Sequence, residues 1–172
     1  RELEFPIKNT GDGVLRIPGR APEEIPELAG AFDVIGFRYD DARSVYADGT
    51  TAPYPIDARV DPTGRAPWPE GLGVVLRRLH DELPDRRFLP ELSVATDTQD
   101  PQQDEWRIEL LRSWAAEIGR AAEDGIAIEG CFHATAVDGY EWTDGFAVQR
   151  GVIDRDRRPK PADHGAFLGL LK

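Results

Sequence analysis

Two amphipathic helical stretches, each preceded by a short apolar run, constrain this chain more than any other feature. Leu72, Val75, Leu76, Leu79 and Leu83 recur at helical spacing behind Trp68-Pro69-Glu70, where a proline and an acid suit the first turn. A second stripe runs Ile108, Leu111, Trp114, Ala115, Ile118, Ala121 and Ala122, with Asp104 as its cap and Asp124-Gly125 as its stop. Phe32 to Phe37 and Arg87 to Leu92 read as buried strands ahead of these helices. Ile128 to Ala136 reads as a third strand, followed by a short helix over roughly Ala162 to Leu171. Strands alternating with helices demand parallel neighbours joined by right-handed crossovers. Three such units leave two bare sheet edges, whereas a closed barrel of eight takes ~250 residues. The fold class expected is therefore α/β, with about three-eighths of a (β/α)8 barrel supplied by this chain.

Residues 1–172 are accordingly expected to be one partial domain of a longer polypeptide. The same expectation follows from a chain that opens on Arg1 and contains no methionine. Its 21 Lys+Arg against 32 Asp+Glu leave a net charge of −11, which disfavours nucleic-acid or anionic-membrane partners, since both require a basic face. No run approaches ~18 apolar residues, and no basic-then-apolar opening marks a secretory signal. The single cysteine, Cys131, excludes an internal disulfide and points to a reducing, cytoplasmic setting. Inside an apolar run it reads as a small buried residue. The stretch before Gly30 reads as loop, apart from an extended segment near Gly13 to Ile17, and 42–67 forms a long connection of little periodicity.

In parallel α/β folds the chemistry collects at the carboxyl ends of the strands. Arg38, Tyr39 and Asp40 follow the first strand, Glu91 closes the second, and Asp138, Tyr140, Glu141, Trp142 and Asp144 follow the third. Carboxylates and aromatics converging on one mouth suit a sugar, whose hydroxyls donate to acids and whose C–H faces stack on rings. Glu91, flanked by Phe88-Leu89 and Leu92, is either a solvent-facing strand-end acid or an acid that is paired or used. Glu141-Trp142 has the same two readings. His133 either packs against the helix layer or lines the mouth. Trp106 and Trp114 read as packing residues, and Asp154 to Arg158 as solvated surface.

Five segments, in order, resemble glycoside hydrolase family 1. Phe32-Asp33-Val34-Ile35-Gly36-Phe37-Arg38-Tyr39-Asp40 resembles the family's F-D-F-I-G-x-N-Y-Y, and Trp68-Pro69-Glu70-Gly71-Leu72 resembles Y-P-E-G-L. Leu89-Pro90-Glu91-Leu92-Ser93, trailed by Ala95-Thr96-Asp97, is similar to I-T-E-N-G with its A-T-D. The run from Phe132 to Trp142 is similar to F-H-W-S-L-L-D-N-F-E-W, and Arg158-Pro159-Lys160 to R-x-P-K. The resemblance implies a (β/α)8 TIM barrel of which this chain is the C-terminal part, strands six to eight. It implies hydrolysis of small-molecule β-glycosides with retention, by two carboxylates ~5–5.5 Å apart. Glu91 would be the catalytic nucleophile. Glu141 and Trp142 would bind the sugar, with Tyr39 and Asp40 counted among the substrate-binding residues. No cofactor or metal is implied, and none of His80, His133, His164 and Cys131 has ligand spacing.

The chain also departs from that pattern. The T-x-N-E-P motif that carries the family's acid/base is absent, and general acid catalysis is typically worth ~10²–10⁴-fold. Asp40 stands where the family has a tyrosine, Arg38 for an asparagine, Leu92-Ser93 for Asn-Gly, Ala134 for a tryptophan and Arg150 for a phenylalanine. Arg38 or Arg150 could neutralise the added acid at 40, and Asp40 with Glu91 could form a pair of their own. Three functional readings follow: a retaining glycosidase portion, a sugar-binding relative that has lost hydrolysis, and a barrel piece that assembles with an N-terminal complement or with copies of itself. The isolated segment is expected to hydrolyse little.

Overall fold

The computed structural model describes residues 11–17, 19–97 and 101–160. Two short strands open it, β1 (Val14–Leu15) and β2 (Glu23–Glu24), antiparallel to one another and followed by a 3₁₀ turn at Pro26–Leu28. Then come β3 (Val34–Tyr39), the hairpin β4 (Arg43–Val45) and β5 (Thr51–Pro53), and helix α1 (Pro69–Glu82). After these follow β6 (Arg87–Leu92), β7 (Thr96–Asp97), helix α2 (Pro101–Glu123), β8 (Phe132–His133) and β9 (Val148–Gln149).

The main sheet has order β3-β6-β8, and both pairings are parallel. With α1 and α2 lying between successive strands, the expected alternation of strand and helix is observed. β6 falls where the sequence places it. β3 starts two residues later than expected, because its partner begins at Arg87 and the register sets Val34 opposite that residue. Phe32 is left exposed. The third strand is much shorter than the expected Ile128 to Ala136. Only Phe132 and His133 pair with β6, and an isolated bridge joins Ile128 to Phe88. Cys131, ahead of that short pairing, is exposed rather than buried.

The core fills the space between the sheet and the two helices. Leu72, Leu76, Leu79 and Leu83 from α1 and its cap meet Leu110, Leu111, Trp114 and Ala121 from α2 over Phe88 and Leu92. Trp114, Phe88, Leu72 and Leu76 lose essentially all contact with water. Each such side chain contributes on the order of 1.5–3 kcal/mol. The buried face of α2 differs from the apolar stripe. It takes in Arg107 and Glu117, while Ala122 is exposed. Arg107 donates to Thr96 Oγ1, and Glu117 pairs with Arg120 at the edge of Gly73, so both polar groups are partnered. The helix begins at Pro101, which puts Asp104 in its first turn rather than at the cap. Its end is as expected: Gly125 adopts φ +90°, and the amide of Ile126 returns to the carbonyl of Ala121. The helix expected near Ala162 to Leu171 lies outside the described residues.

Candidate active site

Side chains alternate across a strand, and residues paired in register share a face. Ile35 and Phe88, Phe37 and Pro90, and Tyr39 and Leu92 are register partners, and they lie on the face the helices cover. The intervening pairs, Gly36 with Leu89 and Arg38 with Glu91, lie on the other face. Glu91 is in turn paired with Phe132, so a row of Arg38, Glu91 and Phe132 crosses the sheet at its carboxyl end. This face is open: Phe132 is exposed and the Glu91 side chain is 42% accessible. Glu91 is therefore neither packed in the core nor isolated.

Arg38 links two acids. Its Nε donates to Asp40 Oδ1 at 2.8 Å, and its Nη1 stands 3.7 Å from Glu91 Oε1. Arg65 reaches the same Asp40 oxygen at 3.2 Å. The long β5–α1 connection holds Arg65 there through Asp61, whose Oδ1 accepts from Thr63 N, Thr63 Oγ1 and Arg65 N in a tight turn. Asp40 is thus held by two guanidinium groups and not by Glu91.

The β8–β9 connection supplies the opposite wall. At its base the buried Asp138 pairs with Lys160 at 2.8 Å and accepts the amide of Gly151 at 2.7 Å. Mutual backbone bonds between Glu141 and Gly145, each 2.8 Å, close the loop that bears Glu141. Pairing of β7 with β9 brings Arg150 beside the end of β6, where its Nη1 donates to Ser93 Oγ at 3.1 Å. Its Nε lies 3.6 Å from Glu141 Oε1. Arg38, Arg65, Ser93, Ala134, Thr135, Glu141, Thr143 and Arg150 enclose about 200 Å³. A larger hollow of about 440 Å³, bounded by Asp12, Leu83 and Arg86, sits at the opposite, amino-terminal end of β6 and has none of these groups.

Of the five residues singled out in the sequence, Glu141 lines this cavity, whereas Asp40 and Glu91 are not among its lining residues and adjoin it through the lining arginines Arg38 and Arg65. Tyr39 is a correction. As the neighbour of Arg38 in a strand it points to the covered face, where it is 7% exposed and donates to the carbonyl of Trp68 at 2.6 Å. Burial holds its phenol well above the ordinary range. Trp142 is 92% exposed, edge-on to Tyr140 at 6.0 Å, and is not part of the cavity wall. His133 shares the face of Leu92 and Tyr39, which places it under the helix layer. Burial pulls its imidazole down to about 4, with smaller contributions from Arg107 and Lys160. The added acid at 40 is neutralised by Arg38, as one reading had it, but the second partner is Arg65; Arg150 goes to Glu141. Arg65 lies in an aperiodic loop and carried no sequence signal. Tyr39 could have been excluded by the period-two alternation alone.

A parallel sheet with helices between its strands, and acids and arginines at the strand ends, defines an α/β protein. The sequence model of Glycosyl hydrolase family 1 matches residues 24–162, and the chain belongs to that family. Beta-glucosidase 12 of Oryza sativa subsp. indica is 27% identical over 203 residues, covering 98% of this chain and 39% of the rice protein. The 1,4-beta-D-glucan glucohydrolase of Thermotoga neapolitana is 25% identical over 146 residues, covering 80% of this chain and 34% of its own length. Among solved structures, a beta-glycosidase from Pyrococcus horikoshii superposes with a TM-score of 0.77 at 23% identity, over 95% of this chain and 40% of that one. The fold is therefore that of part of a (β/α)8 barrel. The chain spans between a third and two-fifths of the length of these relatives. Among the described residues no helix is long and apolar enough to cross a membrane.

Proposed function

We propose that this chain supplies strands six to eight, the C-terminal part, of a retaining β-glycosidase barrel, and that Glu91 is its nucleophile. The observation that carries the reading is the position of Glu91 at the carboxyl end of β6, on the uncovered sheet face, in register between Arg38 and Phe132. In double displacement the Glu91 carboxylate attacks the anomeric carbon, the aglycone leaves, and water then releases the sugar from the ester. Arg38 keeps a positive charge beside the attacking oxygen. Glu141, steadied by Arg150, accepts bonds from sugar hydroxyls, and the exposed Trp142 is free to pack on the ring or aglycone. The proton donor to the leaving group comes from an N-terminal complement of the barrel, which also covers the open face. The substrate class is a small-molecule β-glycoside, and the setting is cytoplasmic.

The test is covalent trapping in the natural full-length protein with a 2-fluoro β-glycoside bearing an activated leaving group. Peptide mapping is expected to place one sugar on Glu91, and none in Glu91→Gln. Saturable sugar binding without any label favours the binding-only reading, for which the Arg38 contact to Glu91 and the acid at 40 speak.

A further inference from the structure

The loop that bears Glu141 is closed at its neck by a buried ion pair. The side chains of Asp138 and Lys160 are only 2% and 8% exposed, with the lysine Nζ 2.8 Å from Oδ2 of the acid. The other carboxylate oxygen accepts the amide of Gly151 at 2.7 Å, a bond that spans 13 positions of the chain. Backbone bonds from Asp138 N to Ile153 O and from Lys160 N to Val152 O tie the same segments together. The fit is close: a methyl on Gly151 would lie 2.3 Å from the backbone nitrogen of Asp138. Attraction between two buried ions rarely exceeds what their desolvation costs, so stability alone is a poor account of this pair. Position is a better one. Glu141 follows Asp138 within the loop, and Arg150 directly precedes Gly151. Arg150 donates to Ser93 Oγ at 3.1 Å and stands 3.6 Å from Glu141 Oε1. A shift at Gly151 therefore moves the arginine that holds Glu141 beside the end of β6.

We infer that Asp138, pinned by Lys160, is a positioning residue: by holding the Gly151 amide it sets where Glu141 stands relative to Glu91. The inference rests on the glycosidase reading of the same site and adds two residues that touch no sugar. Both ions are already buried by this chain alone, and every contact in the neck is internal to it. Lys160 neutralises the carboxylate and occupies Oδ2, which leaves Oδ1 to face Gly151. The effect on the reaction passes through Glu141, so it vanishes when Glu141 is removed.

Hydrolysis of 4-nitrophenyl β-D-glucoside by the natural full-length protein tests it, as a cycle with Glu141→Gln. Asp138→Ala combined with Lys160→Met removes both ions together, so no unpaired charge stays buried. With Glu141 intact, this pair of changes is expected to lower kcat/KM about tenfold or more, within the scale of a ~1 Å misplacement. In Glu141→Gln the same pair is expected to cost less than about twofold, because the group being positioned is gone. Asp138→Asn combined with Lys160→Met keeps an oxygen for the Gly151 amide and is expected to stay within about threefold of wild type. Equal losses in the two backgrounds overturn the inference, since the neck then only supports the fold. So does the absence of any loss, or an asparagine variant as impaired as the alanine one; the glycosidase reading survives all three results. No turnover by wild type overturns this inference and the glycosidase reading together. Should the alanine variant fail to fold, Gly151→Ala, which forces the neck apart from the other side, goes through the same cycle and decides.

Discussion

The two faces of one three-stranded sheet are built to opposite specifications. On the covered face Ile35, Phe37, Tyr39, Phe88, Pro90 and Leu92 meet the helices in a continuous apolar layer. One residue along each strand, Gly36, Arg38, Leu89, Glu91 and Phe132 face away from it and carry the charge. The pleat does the sorting: a period of two lets a six-residue strand present grease to one side and chemistry to the other. Stability should therefore reside on the first face, and ligand recognition on the second. A substitution that mixes the two would break this division.

The largest effect is expected from Trp114→Ala. Trp114 has no exposed surface and stands at the centre of the covered side, so its truncation should cost about 3–5 kcal/mol in urea unfolding. Its indole N–H has no acceptor among the described residues, so Trp114→Phe should cost distinctly less. A loss under ~1 kcal/mol for the alanine variant would show that the helix layer is not where the stability lies. Gly71→Ala comes next. The added methyl would strike the Tyr39 hydroxyl and the Trp68 ring, at 2.6 Å from the latter, just where α1 begins. Overpacking there should destabilise by ~1–3 kcal/mol, and Tyr39→Phe should relieve only the hydroxyl's share.

The covered face was the legible one. Leu72, Leu76 and Leu79 announce α1 by spacing, and Phe88 and Leu92 lie in the only strand whose limits the sequence places correctly. Helix burial is redundant, several large side chains repeating one message, and such redundancy survives a missed residue. The open face has no redundancy. Glu91, Asp40 and Glu141 were located by their place at the strand ends and given roles only by motif resemblance, and nothing in composition marks Arg65 as the partner of Asp40, because 24 residues separate them. β8 was misjudged because an apolar run such as Ile128 to Ala136 signals burial without telling how far the neighbouring strand continues to pair. Arg107 and Glu117 were missed for a related reason: a hydrophobic stripe counts only apolar side chains, whereas a helix face buries whatever it can partner.

His133 sits at the seam between the faces and should report on the covered one through pH. Its imidazole is held down to about 4, chiefly by burial, whereas the unfolded chain protonates near the ordinary 6.5. Between these values the unfolded state binds more protons, so stability is complete above the upper value and declines as pH falls towards the lower one. The decline attributable to this residue should be on the order of 1–2 kcal/mol, read as the difference between wild type and His133→Gln in urea unfolding at pH 7 and pH 4.5. Identical slopes in the two proteins would place His133 in solvent, contrary to its register with Leu92.

The smallest stability effect, and the largest functional one, is expected at Glu91. Its side chain is 42% accessible and its one ion pair among the described residues, to Arg38, spans 3.7 Å, a geometry worth little in water. Glu91→Gln keeps the shape and should shift unfolding by less than ~0.5 kcal/mol, within the range of ordinary surface substitutions. On the proposed reading, the same change in the natural full-length protein should lower kcat by at least ~10³-fold, since an amide cannot form the glycosyl ester. The ratio of the two effects is the informative quantity. A large stability loss with modest loss of turnover would mean that Glu91 holds the sheet together through Arg38, and the division between a structural face and a chemical face would fail at the residue where it is drawn most sharply.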